Sequence, residues 1–238
     1  MPVDINCDMG EGMGNDEQIM PFITSANIAC GYHAGDIFTM QETIELCLKH
    51  DVAIGAHPSF FDRQNFGRTA IQLSAEEIYE LIIQQLLILT EVANTFNTKL
   101  HHVKPHGALY NLSAKGSSVA TIIAKAVKDF DNQLILYGLS GSESIKQAQA
   151  TGIKTASEVF ADRSYQDDGF LTPRSMANAL IEEVDKATAQ ILQMVREGAV
   201  TTVSGHIIPI TAETICIHGD GKHAVELAKS VHKVIKTA

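Results

Sequence analysis

Short apolar runs alternate with longer amphipathic ones along most of the chain. Runs rich in β-branched and aliphatic residues fall at 3–8, 26–30, 52–57, 100–104, 133–138, 154–161 and 213–218, and each reads as a strand. Between them, apolar positions recur at helical spacing over 16–22, 39–50, 75–96, 117–130, 142–150, 175–196 and 222–235. Ser74 ahead of AEEI predicts a capping box with Glu77, and Pro173 stands ahead of the helix expected from 175. The fourth strand must stop at Pro105, which has no amide hydrogen for a central strand to donate.

Strands and helices that alternate in this way, with strands this apolar, imply a parallel sheet covered by helices. No G-x-G-x-x-G follows the first strand, and polar residues gather at nearly every strand end instead of at one switch point. The expected fold is therefore α/β, a parallel barrel of seven strands, and not an open doubly wound sheet. A chain of 238 residues, 45% hydrophobic, can bury one such core, so a single domain over 1–238 is expected. The β-branched alternation over 198–214, centred on Ser204 and Gly205, predicts a small hairpin inserted near 198–212 before the last strand.

Composition narrows the partners. A net charge of −10 argues against nucleic acid or an anionic membrane surface, both of which call for a basic field. No run approaches the ~18 apolar residues of a membrane span, and MPVDINCD lacks the features of a signal peptide, so a cytoplasmic location is expected. Cys7, Cys30, Cys47 and Cys216 form no C-x-x-C pair; reduced thiols, buried where they lie in strand-like runs, are the expectation.

The loops after the C-terminal ends of parallel barrel strands open on one face, so residues distant in sequence converge there. The first strand end supplies Asn6, Asp8 and Glu11, the second His33 and Asp36, and the third His57, Asp62, Arg63 and Arg68. The fourth supplies Lys104 and His106, the sixth Glu158, Asp162, Arg163 and Tyr165, and the last His218 and Asp220. With no G-x-x-x-x-G-K-[ST], no G-x-S-x-G and no cysteine–histidine motif, the chemistry left is acid/base or metal-assisted. Two readings stay open. Asp8, His33 and His57 could hold a divalent metal that activates water. Alternatively, Asp8 could act as a general base oriented by a histidine, with Lys104 stabilising a developing oxyanion. Arg68 or Arg163 suits a substrate carboxylate, which a guanidinium matches with two parallel hydrogen bonds.

Taken together, DINCDMGEGMG, SANIACGYHAGD, IGAHPSFFDRQNFGR, VKPHGALYN, EVFADRSYQDDG and CIHGD closely resemble the LamB/YcsF family of 5-oxoprolinase A subunits, in the family's order from residue 3 to about residue 225. The resemblance implies a somewhat irregular, TIM-barrel-like (β/α) barrel related to polysaccharide deacetylase folds. It also implies opening of the lactam of 5-oxo-L-proline to L-glutamate with ATP, which the complex with partner subunits B and C would use. Carried over by motif, the catalytic candidates are Asp8, His33, His57, Lys104 and His106. Asn6, Glu11, Asp36, Arg68, Arg163 and His218 are the candidate substrate contacts. The chain departs from the family in having GDGKHA for the usual GDTPGA and HPSFFD for the usual HPGYPD, the first of which bears on any anion contact after His218. Two other functions fit the same residues: a metal-dependent deacetylase or amidohydrolase, and a non-catalytic substrate-binding subunit. Under the lactam reading, Lys104→Ala is expected to abolish turnover and leave the fold intact.

Overall fold

The computed structural model describes residues 3–237. Its strands in chain order are β1 (Asp4–Met9), β2 (Ser25–Ala29), β3 (Ala53–His57), β4 (His102–Val103), β5 (Ile135–Leu139), β6 (Lys154–Phe160), β7 (Ala199–Thr201), β8 (Ile207–Pro209) and β9 (Thr214–Ile217). Seven of them close a barrel in the order β1-β2-β3-β4-β5-β6-β9, with every pairing parallel. The seven-stranded parallel barrel expected from the alternation is thus the observed fold, and closure leaves its sheet no open edge. β7 and β8 form the inserted hairpin as a separate antiparallel sheet. Its turn needs Gly205, whose φ of +85° an L side chain rarely adopts.

The helices are α1 (Asp16–Ile19), α2 (Ile37–His50), α3 (Ala75–Thr95), α4 (Gly107–Lys115), α5 (Ser117–Phe130), α6 (Glu143–Thr151), α7 (Val184–Glu197) and α8 (Ala224–Ile235). α3 starts with the expected capping box: Glu77 N donates to Ser74 Oγ at 3.2 Å, and Ser74 N donates to Glu77 Oε2 at 2.7 Å. Its buried stripe of Ile78, Leu81, Ile82, Leu86 and Leu89 lies at helical spacing. No helix among the described residues is long and apolar enough to cross a membrane.

Two elements differ from the periodicity. Residues 107–115 follow Pro105 as helix α4, where the sequence reads as loop; Gly107 makes the turn into it at φ +56°, and an added Cβ there would lie 2.5 Å from the Gly67 carbonyl. The helix expected from 175 begins only at Val184. Residues 171–181 instead fold against the segment after β6, where Thr172 N donates to Ser164 O, Ser164 N to Ala179 O and Ile181 N to Asp162 O. These tertiary hydrogen bonds take the backbone groups that a helix would have used.

The register sets what faces the barrel interior. Asp8 lies opposite Asn27, Asn27 opposite Gly55 and Gly55 opposite His102, while Glu158 lies opposite Thr214. Strands that read as simply apolar therefore enclose a polar interior, with Asn6, Asn27, His102, Glu158 and Thr214 all fully buried. Gly55 makes the space for His102, because a Cβ at that position would meet the imidazole at 2.0 Å.

Candidate active site

Lys104 emerges one residue beyond β4 and one before Pro105, with its amide still donating to Ala56 O at 2.9 Å. Its ammonium therefore projects from a fixed backbone. Nζ lies 2.8 Å from Asp8 Oδ1, 3.0 Å from Glu158 Oε1, 3.2 Å from Asn6 Oδ1 and 3.0 Å from Cys216 Sγ. Below it, Asn6 Nδ2 donates to Glu158 Oε1 and Thr214 Oγ1, and Asn27 Nδ2 donates to Asn6 Oδ1 and Asp8 Oδ1. His102 Nε2 reaches Asn27 Oδ1 at 2.9 Å. Burial works against the Lys104 charge, but attraction to Asp8, then Cys216 and Glu158, holds its pKa well above the usual lysine range. Burial likewise opposes the Asp8 charge, yet His57 and Lys104 hold it well below the usual carboxylate range.

Beside this charge cluster stand three histidines and a carboxylate. His33 Nε2 is 3.0 Å from Glu11 Oε1, His106 Nδ1 is 3.6 Å from it and His57 Nε2 is 3.9 Å from it. His57 Nε2 also lies 2.8 Å from His106 Nδ1 and 3.4 Å from Asp8 Oδ2. The His33 and His106 rings stack with centroids 3.9 Å apart. Burial, then the charge of Asp8, pushes the Glu11 carboxyl up to about 8. Burial, then His57, lowers His33 to about 2, and burial with His57 and His33 lowers His106 well below the usual histidine range. Glu11, His33, His57 and His106 each offer one ligand atom, all within 4.8 Å of one another, and so could hold a metal ion.

These groups open onto a cleft of about 490 Å³, a size ordinary for a small-molecule site. Asp8, Glu11, His57, Arg68, Lys104, His106, Arg163 and His218 line it, so the topology brings together most of the residues named from sequence. Arg68 Nη2 pairs with Asp220 Oδ2 at 2.7 Å, and its side chain stays 41% exposed. Arg163 spends its guanidinium on backbone, donating to Ala179 O at 3.2 Å and Thr172 O at 2.6 Å, and burial lowers its pKa to about 10. His218 Nδ1 sits 2.9 Å from both oxygens of Asp162. Asn6 lies in the interior beneath Lys104, and His33 stands behind Glu11. Asp36 lies away from the cleft lining and caps α2 by accepting from Thr39 N at 2.9 Å.

Three groups of this network, Asn27, His102 and Tyr110, escape a reading of the sequence. Asn27 hides in an apolar run, and His102 reads as part of a histidine cluster without a partner. Tyr110 lies on the helix that reads as loop, whereas Glu158, legible at its strand end as a possible partner for Lys104, does pair with it at 3.0 Å. Tyr110 Oη and Glu158 Oε2 are both buried with no hydrogen-bond partner among the described residues, and Tyr110 lines the cleft. Burial, then the Glu158 charge, holds the Tyr110 hydroxyl well above the usual phenol range.

The LamB/YcsF family model matches residues 3–238. The A subunit of 5-oxoprolinase from Bordetella pertussis is 49% identical over 239 residues, covering 98% of this chain and 95% of the relative. That of Shouchella clausii is 52% identical over 234 residues, covering 96% of this chain and 92% of the relative. Among solved structures, the lactam utilization protein of Thermus thermophilus superimposes with a TM-score of 0.92 at 38% identity, covering 100% of this chain and 97% of that one.

Proposed function

The chain belongs to the LamB/YcsF family, and from that membership we propose that it is the A subunit of a 5-oxoprolinase, a single barrel domain that opens the lactam of 5-oxo-L-proline to L-glutamate. In this reading it works in an ATP-dependent complex with partner subunits B and C. The observation that carries the assignment to this site is the buried Lys104 ammonium, which lines the cleft and is held between Asp8 and Glu158.

A lactam resists water because attack must break amide resonance and places charge on the carbonyl oxygen. Lys104 is a fixed cation for that oxygen, and in a site this buried its field is little screened. Asp8 stays ionised, and its Oδ2, free of the contacts Oδ1 makes with Lys104 and Asn27, is placed to take a proton from the attacking water. His57, whose Nε2 lies 3.4 Å from that oxygen, orients the water. Arg68 presents a half-exposed guanidinium to the substrate carboxylate. Tyr110, with an unpartnered hydroxyl on the cleft wall, has a proton to offer the ring nitrogen or oxygen. ATP bound in the complex would supply the phosphoryl group and free energy for activating the lactam oxygen, and the cleft cations Arg68, Lys115 and Arg174 suit anionic oxygens of that kind.

The test is reconstitution with the partner subunits, following glutamate and ADP together. The expected result is ATP-coupled turnover that requires the partners and is lost in Asp8→Asn. Turnover by the isolated chain without ATP would favour a metal-dependent amidohydrolase instead, the reading to which the Glu11, His33, His57 and His106 cluster lends weight. Unchanged turnover in Asp8→Asn would leave this chain as a binding subunit.

A further inference from the structure

The buried amides beneath Lys104 form a directed chain of hydrogen bonds. Thr214 Oγ1 gives its single proton to Asp4 Oδ2 at 2.5 Å, so toward Asn6 Nδ2, 2.7 Å away, it can only accept. Asn6 Nδ2 also donates to Glu158 Oε1 at 2.9 Å, which leaves Asn6 Oδ1 to receive Lys104 Nζ and Asn27 Nδ2 at 3.2 and 2.7 Å. Asn27 Nδ2 spends its second proton on Asp8 Oδ1 at 2.9 Å. The Asn27 oxygen therefore faces His102 Nε2 at 2.9 Å, and since an amide oxygen only accepts, that ring nitrogen carries the proton. Reversing the Asn27 amide would set its oxygen against Asn6 Oδ1 and Asp8 Oδ1 at once.

The frame behind these bonds is rigid. Asn27 sits in β2 between β1 and β3, opposite Asp8 on one side and Gly55 on the other, and Gly55 leaves the space that the His102 ring fills. Asn27 is fully buried behind the cleft lining, so it does not touch substrate. Filling the barrel alone would take an apolar side chain of the same size, whereas a buried amide is favourable only with its hydrogen bonds made.

Two donors meet Asp8 Oδ1, Lys104 Nζ from the end of β4 at 2.8 Å and Asn27 Nδ2 from β2 at 2.9 Å. Held by Lys104 alone, the carboxylate could pivot about that contact. Two donors from separate strands fix its plane and leave Oδ2 beside His57 Nε2 at 3.4 Å. We propose that Asn27 is a positioning residue for the reaction: its amide, oriented by Asn6 and His102, aims Asp8 Oδ2 at the attacking water. The proposal rests on the general-base reading of Asp8 and deepens it.

The direction of the chain is tested without turnover, by nitrogen-15 NMR of the histidine rings in the full chain, the His102 signals being identified by their loss in His102→Gln. At neutral pH His102 should carry its proton on Nε2; a proton on Nδ1 alone would overturn the proposal. The consequence is tested in the reconstituted complex with Asn27→Leu, which keeps the volume and removes the donors, and with Asn27→Ala as a second variant. In each, kcat should fall about 10- to 100-fold with KM for 5-oxo-L-proline little changed. Asn27→Leu also strands the His102 N–H, so its thermal midpoint should drop, and adding His102→Leu should recover part of the midpoint and none of the kcat. Wild-type kcat in both single variants, shown folded by circular dichroism, or return of kcat together with the midpoint in the double variant, would leave Asn27 a structural residue only and overturn the proposal. Wild-type turnover in Asp8→Asn would refute the general-base reading itself, whatever the ring proton shows, and the proposal with it.

Discussion

Replacing Lys104 by methionine keeps most of the side-chain stem and removes the ammonium. Nζ lies 2.8 Å from Asp8 and 3.0 Å from Glu158, and all three side chains are 5% exposed or less. At an effective dielectric constant near 20 each contact is a gross attraction of about 5 to 6 kcal/mol, largely offset by the removal of three ions from water. Truncating one partner of such a group strands the others, at a net cost of about 3 to 5 kcal/mol. For a chain of this length that lowers the thermal midpoint by roughly 6 to 20 °C. The structure thus adds a stability cost to the loss of turnover expected from sequence. If Lys104 also meets the developing oxyanion, turnover of the reconstituted complex falls by about 10² to 10³. Scanning calorimetry of the full chain and glutamate release by the complex read the two effects separately. Adding Glu158→Gln removes one stranded carboxylate, so the double variant should regain part of the midpoint and none of the turnover. A Lys104→Met midpoint within about 2 °C of wild type, with no recovery from Glu158→Gln, would refute the buried triad. Wild-type turnover would remove Lys104 from the chemistry.

Gly55→Ala sets a Cβ 2.0 to 2.3 Å from the His102 ring, and should destabilise by about 1 to 3 kcal/mol or more in urea titration; adding His102→Ala should recover much of the loss. Burial, then His101 and Lys104, holds His102 neutral in the fold, with its pKa well below the usual value. The unfolded chain therefore binds the extra proton, and stability should fall as pH drops below about 6.5. His102→Gln should flatten that slope by up to about 1.4 kcal/mol per pH unit, and an unchanged slope would count against a buried neutral ring. Arg68→Lys loses the planar fork at the cleft and should raise KM for 5-oxo-L-proline about tenfold or more with kcat little changed, one charge-assisted hydrogen bond being worth about 1.5 to 3 kcal/mol. An unchanged KM in steady-state assays of the complex would place the substrate carboxylate elsewhere.

Much of the molecule follows from the sequence by local rules. Side-chain alternation and helical spacing report which faces are buried, so seven strands, the α3 capping box and the 198–212 hairpin are legible. Pro105 ends a strand by its own covalent structure and fixes Lys104 at the rim. The gathering of Asp8, His57, Lys104 and His218 on one face follows once a parallel barrel is inferred, because parallel strands all point their C-terminal ends the same way. What required the tertiary structure is pairing across long separations. Lys104 meets Cys216 across 112 positions and Asn6 meets Glu158 across 152, and no local pattern encodes such contacts. The strand register alone decides that Asn27 and His102 point inward, since a shift of one residue would turn them out. The segment before α7 gave up its helical period to tertiary hydrogen bonds with the segment after β6. Asp8 and Glu11 end with different neighbours for a reason that lies in the closed barrel: it brings Lys104 to Asp8 Oδ1, while Glu11, further along the same loop, meets His33.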